Sequence, residues 1–187
     1  MAGIVPPYLL IVLVAVAVSA ITDVWKFKVH NVVSLTLLVG GLVHHAVAGG
    51  TVGVTGSALG ALFGFAVLLL LYVLGGMGAG DVKLMAGVGA WLGVKLTFYV
   101  FLASSLAAGV YALVLIVLYD RTSETWTNLK IAWHRFAALG RLLGLEERVE
   151  AEVARPDRRG RIIPFAAMIA FGVLATLVWV YWQGGTP

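Results

Sequence analysis

The chain has 187 residues, 61% of them hydrophobic and only 12% charged, with a net charge of +4 and no cysteine. A soluble domain carries about 25% charged residues, so an ordinary water-soluble globule is excluded, as are disulfides, thiolate metal sites and a cysteine nucleophile. The apolar residues fall in blocks long enough to cross a bilayer as helices, which takes about 20 residues each, and the alternation of a membrane β-barrel is absent. The expected fold class is therefore all-α: a polytopic membrane protein of about six transmembrane helices plus a cytoplasmic amphipathic helix, with residues 1–187 forming one integral membrane domain.

The opening "MAGIVPPYLL" has no basic stretch ahead of its apolar run, so it reads as a retained span and not as a cleaved signal. That first span runs from near Pro7 to Asp23, the second from Asn31 to Ala48, and the third from about Val54 to Leu74. In the second span His44 and His45 are adjacent, so they point about 100° apart on a helix. They are expected to pack or to sit at an interface, not to share a metal. In the third, Gly56, Gly60 and Gly64 form a small-residue ridge of the kind that lets helices approach closely in lipid.

The stretch "GGMGAGDVKLMAGVGAWLG" leads into a short fourth span, from Asp81 to about Gly93. The fifth covers roughly Leu96 to Tyr119 and the sixth Ile163 to Trp182, where Trp179, Tyr181 and Trp182 suit a membrane interface. Between them lies a polar region, 120–162. Trp126, Leu129, Trp133, Phe136 and Leu143 recur there at helical spacing, with Lys130, Arg135 and Arg141 elsewhere on the wheel, as in a basic helix lying on the inner leaflet. His134 belongs with that helix, and "ARPDRRGR" after it reads as a solvated linker.

Basic residues set orientation, because short loops rich in Lys and Arg stay cytoplasmic. Lys26 and Lys28 follow the first span, Lys83 opens the fourth, and Arg121 through Arg161 fill the loop before the sixth. Lys95 alone falls on the other side. This places both termini outside the cytoplasm.

Seven of the nine acidic residues lie between 120 and 157; the other two are Asp23 and Asp81. Asp23 closes the first span and Asp81 opens the fourth, so topology puts them at one depth on the cytoplasmic side. A single carboxylate near a helix end is often a plain interfacial residue. Two at one depth, one of them behind glycines, fit a dyad: neighbouring carboxylates share a proton, so one can take a proton from water while the other gives one to a carbonyl oxygen. Gly78 and Gly80 are expected to form an irregular turn, using backbone angles closed to other residues, that presents Asp81 and admits a substrate strand. Lys83 reads equally as a snorkelling lysine, and His30 as a loop histidine near the pair.

"GMGAGDVKLMA" resembles the GxGD signature, with its trailing lysine, of the prepilin peptidases, also called type IV leader peptidases. "TDVWKFKVHNVVSL" resembles the same family's first motif, an Asp followed at fixed distance by Ile-Pro-Asn. Here the tripeptide is Val29-His30-Asn31, with the proline replaced and the asparagine kept. "RIIPFAAMIAFG", with Pro164 and Gly172, resembles the family's final span. The resemblance covers most of the chain outside the 120–160 loop.

It implies catalytic roles for Asp23 and Asp81, with Gly78, Gly80, Lys83 and Asn31 as supporting motif positions. The implied function is an aspartic endopeptidase of the inner membrane that cuts leaders from prepilin-like precursors at the cytoplasmic face. It implies no cofactor, and the partners are the precursors and the lipid bilayer. Longer bifunctional relatives add a segment with paired CxxC motifs and N-methylate the new amino terminus. The cysteine-free chain resembles the peptidase-only form serving tight-adherence (Flp-type) pili, and the archaeal preflagellin-peptidase branch shares the dyad. Two rival readings use the same carboxylates: a small proton-coupled transporter, and a pilus-assembly scaffold without activity. No nucleotide loop, zinc motif, Ser/His/Asp array or nucleic-acid site stands out in the sequence, and oligomeric state is not legible in it.

Overall fold

A computed structural model of the chain describes residues 7–26, 29–73, 77–118 and 164–183. They form four helices: α1 (Pro7–Lys26), α2 (Asn31–Val73), α3 (Ala79–Leu118) and α4 (Phe165–Trp182). All four are long and apolar enough to cross a membrane by length and composition. The count differs from the expected six because α2 and α3, of 43 and 40 residues, each contain two of the expected spans, separated by one non-helical glycine. These are Gly50 (φ 56°, ψ −139°) and Gly93 (φ 71°, ψ 176°). Such angles are open in practice only to glycine.

The contacts show what these breaks do. Leu37 and Gly41 meet Gly87 and Ala90 in the same order along both chains, whereas Ser57, Gly60 and Gly64 meet Ala90, Gly89 and Met85 in reverse order. The two arms of α2 therefore run in opposite directions along one stretch of α3, and the helix folds back at Gly50. Likewise Phe98 lies near Phe63, 6.3 Å between ring centres, so α3 turns back after Gly93. Helix α4 lies antiparallel to that returning arm, with Gly172 against Val100 and Ser104, and Trp179 5.0 Å from Tyr99.

The segment 81–92 is the central post of the bundle, with every side chain buried except that of Lys83. It can be surrounded so closely because its neighbours offer small residues. A side chain at Gly60 would strike the Gly89 main chain, and one at Gly64 the Met85 carbonyl. Two buried hydrogen bonds tie the layers: Ser57 Oγ donates to the Ala90 carbonyl and Trp91 Nε1 to the Leu37 carbonyl, both at 2.7 Å. Bonds of this kind between helices in lipid contribute about 0.6–2 kcal/mol each. The ridge expected in the third span is thus real at Gly60 and Gly64, while Gly56 meets nothing within 4 Å.

On α1 the buried residues are Leu9, Val12, Val16, Ser19 and Asp23, a single stripe with spacings of three and four. The rest of the helix is apolar too, with Leu10, Ile11, Val14, Val18 and Ile21 all exposed. An outer surface this apolar suits lipid as its solvent. Asp23 ends the inward stripe, which is how a carboxylate comes to be in the core.

Candidate active site

Helix α1 runs antiparallel to the central post. Its first turn packs at one end of the bundle, where Tyr8 lies 5.6 Å from His44 and 6.4 Å from Trp91, ring to ring. Its last turn reaches the opposite end, where Asp23 meets the first turns of α3 and α4.

Helix α4 begins after Pro164, whose side chain provides no cap; the Ala167 N–H turns back to the Pro164 carbonyl at 3.1 Å, which leaves the Ala166 N–H to find a partner elsewhere. The Ala166 N–H donates to Asp23 Oδ2 at 3.0 Å. Asp23 therefore caps α4 from another helix, 143 residues away. The bond fixes one carboxylate oxygen and the rotamer with it. Sequence reasoning missed Ala166, and the available signal was a helix opening on proline with no Ser, Thr, Asp or Asn before it.

Asp81 lies in the first turn of α3, as expected, with its N–H bonded to the Gly78 carbonyl at 3.2 Å. Both aspartates are buried, at 7% and 8% exposure for Asp23 and Asp81. Asp81 Oδ1 is buried without a hydrogen-bond partner among the described residues. Two carboxyl groups close together cannot easily both ionise, and where they share a proton one can accept a proton from water while the other donates.

The glycines before Asp81 serve a different purpose from the one expected. Among the described residues only Gly50 and Gly93 have positive φ, so neither Gly78 nor Gly80 needs special backbone angles. What they supply is space. A Cβ at Gly80 would lie 2.9 Å from that of Val29, and one at Gly78 would lie 3.4 Å from Asp81 Oδ2. Val29, just ahead of α2, is thus seated on the turn that carries Asp81. Val29 is buried there, and the His30 carbonyl takes the Val33 N–H at 3.0 Å, opening α2. Lys83 Nζ donates to Asn31 Oδ1 at 3.1 Å, joining the two motif positions directly. The His30 side chain is exposed.

His44 stacks on Trp91, and His45 Nδ1 is bonded to the Gly41 carbonyl at 2.9 Å, both at the far end from the aspartates. A cleft of about 270 Å³ lined by Tyr8, His45, Ser57 and Trp91 is also at that far end. No group of three or more potential metal ligands occurs among the described residues. The expected surface helix with Trp126, Leu129, Trp133, Phe136 and Leu143, and His134 with it, lie outside the described residues.

Residues 9–113, more than half of the chain and including both aspartates, match the model of the type IV leader peptidase family. Among curated proteins the chain is 39% identical over 117 residues to a prepilin leader peptidase/N-methyltransferase of Aeromonas salmonicida, and equally to one of Aeromonas hydrophila. Each match covers 59% of this chain and 40% of the relative, so the chain spans about two fifths of the length of these relatives. No solved structure matches it.

Proposed function

Since the chain belongs to the type IV leader peptidase family, we propose that it is an aspartic endopeptidase of the inner membrane that removes the leader from prepilin-like precursors. The observation that carries this reading is the burial of Asp23 and Asp81 at the same end of the bundle, on different helices. One carboxylate takes a proton from water as the water oxygen attacks the scissile carbonyl carbon. The neighbouring carboxyl group gives its proton to the carbonyl oxygen. Collapse of the tetrahedral intermediate then breaks the C–N bond, the amine leaving with a proton from the pair. No covalent enzyme intermediate forms.

The substrate is a precursor with an apolar helix that docks laterally among the spans, its polar leader remaining in the cytoplasm. A peptide bond inside a helix is shielded, so the scissile bond is presented extended or locally unwound. The finer assignment is to Flp-type precursors, cleaved without N-methyl transfer. The basic residues that follow or adjoin the two aspartates in sequence, Lys26, Lys28 and Lys83, support a cytoplasmic site with both termini on the other side.

The test is incubation of the purified protein in detergent with a leader-bearing Flp-type precursor. The expected result is a product shortened by the leader, unmethylated when a methyl donor is added. Intact precursor would refute the peptidase, and a methylated product would refute the peptidase-only assignment.

A further inference from the structure

Lys83 is placed against the ordinary preference of helix ends. It sits in the second turn of α3, and its ammonium is bonded to the first residue of α2, so it stands near the positive ends of two helix dipoles. Anions stabilise such positions and cations do not. An exposed hydrogen bond of this sort adds little to the stability of a fold. Nor does Lys83 act on Asp81 directly, because residues two apart on a helix face nearly opposite sides.

What the bond does join is two pieces of backbone separated by 52 residues, at the only exposed position of the central post. On one side of it is the turn 29–31, whose Val29 is buried against Gly80. On the other is Asp81, next to Gly80 and buried, with one oxygen unpartnered among the described residues. Ala166 of α4 fixes the Asp23 carboxylate, whereas among the described residues the Asp81 carboxylate is held by the backbone of Gly78, in the turn just before α3. Its position therefore depends on how firmly the first turn of α3 is held.

We propose that Asn31 and Lys83 are a positioning pair: their hydrogen bond clasps the 29–31 turn onto Gly80 and so holds Asp81 in register with Asp23. The catalytic part of this inference rests on the peptidase reading; the structural part does not. Asn31 accepts and Lys83 donates, and neither touches the reacting atoms. Loss of either partner loosens the turn, and a small misplacement of a catalytic group is costly in rate.

The experiment has two independent readouts. In the precursor assay, Asn31→Leu and Lys83→Met each lower kcat about tenfold with KM little changed, as expected when a reacting group is displaced. The double variant is no worse than either single one, because the two act as a unit. Asn31→Asp, which keeps the acceptor, retains most of the activity.

The second readout needs no substrate. Val29→Cys places a single thiol in the cysteine-free chain at a buried position. Its maleimide labelling rate rises at least about threefold in the Asn31→Leu and Lys83→Met backgrounds and not with Asn31→Asp, reporting local opening of the turn. Unchanged labelling overturns the clasp, whatever the activities. Unchanged kcat, or a rise in KM alone, overturns the positioning role. If the unaltered protein cleaves no precursor, the peptidase reading fails and the labelling rates alone decide whether the clasp exists.

Discussion

At the scale of single residues, Asp23 has two separable duties. It belongs to the proposed carboxylate pair, and it caps α4 through the Ala166 N–H. Asn keeps an acceptor oxygen of nearly the same shape, whereas Ala keeps none. Asp23→Ala is therefore expected to destabilise the protein by about 0.5–2 kcal/mol, the usual range for losing a cap. Asp23→Asn should unfold close to the parent. Thermal unfolding in detergent checks both, and equal loss in the two variants would mean that the cap contributes nothing. That Asp23 and Asp81 are placed at one end was legible in the sequence, because an acid outside the loop has no cheap place in so apolar a chain. The purpose of Gly78 and Gly80 was not. Space beside Val29 and space beside a carboxylate are three-dimensional facts, and they look the same in sequence as a need for unusual backbone angles. The Ala166 contact was hidden for a similar reason, since it is made by main chain.

At the scale of helices, the breaks at Gly50 and Gly93 decide the architecture. Each folds a helix of about 40 residues back on itself, and each relies on backbone angles that other residues rarely adopt. Gly93→Ala and Gly50→Ala are expected to cost about 1–3 kcal/mol each. A Cβ would meet no atom within 4 Å at either position, so the cost is conformational and not steric. Gly109 is the control: it is helical and equally open, and Gly109→Ala should stabilise by roughly 0.5–1 kcal/mol. Unfolding scans that rank the three alike would contradict this account.

The expected span boundaries, between Ala48 and Val54 and near Gly93, fall on these breaks, because the apolar blocks are interrupted there. Their joining into α2 and α3 was not foreseeable, since helix resumes directly on both sides of a single glycine. Which faces pack was only partly legible. The helices are apolar all round, and periodicity carries no signal when lipid replaces water on the outside. The inward faces are marked instead by small and polar residues, as at Ser57, Gly60 and Gly64.

At the scale of the molecule, the hairpin arrangement separates two ends. Asp23, Val29, Asp81 and Ala166 share one, while Tyr8, His44, Trp91 and Trp179 mark the other. The basic residues predict that the aspartate end faces the cytoplasm. The absence of cysteine makes this simple to test with His30→Cys at the aspartate end and Thr51→Cys beside the Gly50 turn, both exposed positions. An impermeant maleimide should label the first in inside-out vesicles and the second in right-side-out vesicles. The reverse pattern would invert the proposed orientation. The separation of the two ends was legible because span order is a one-dimensional property.

The central claim is that Asp23 and Asp81 act together on one water molecule. Its most direct test is the initial rate of precursor cleavage by Asp23→Asn, Asp81→Asn and the double variant, each first shown to unfold like the parent. Each single substitution should reduce cleavage to the level of the double, because a carboxylate pair works as a unit. A single variant that still cleaves at a substantial fraction of the parental rate would contradict the shared mechanism.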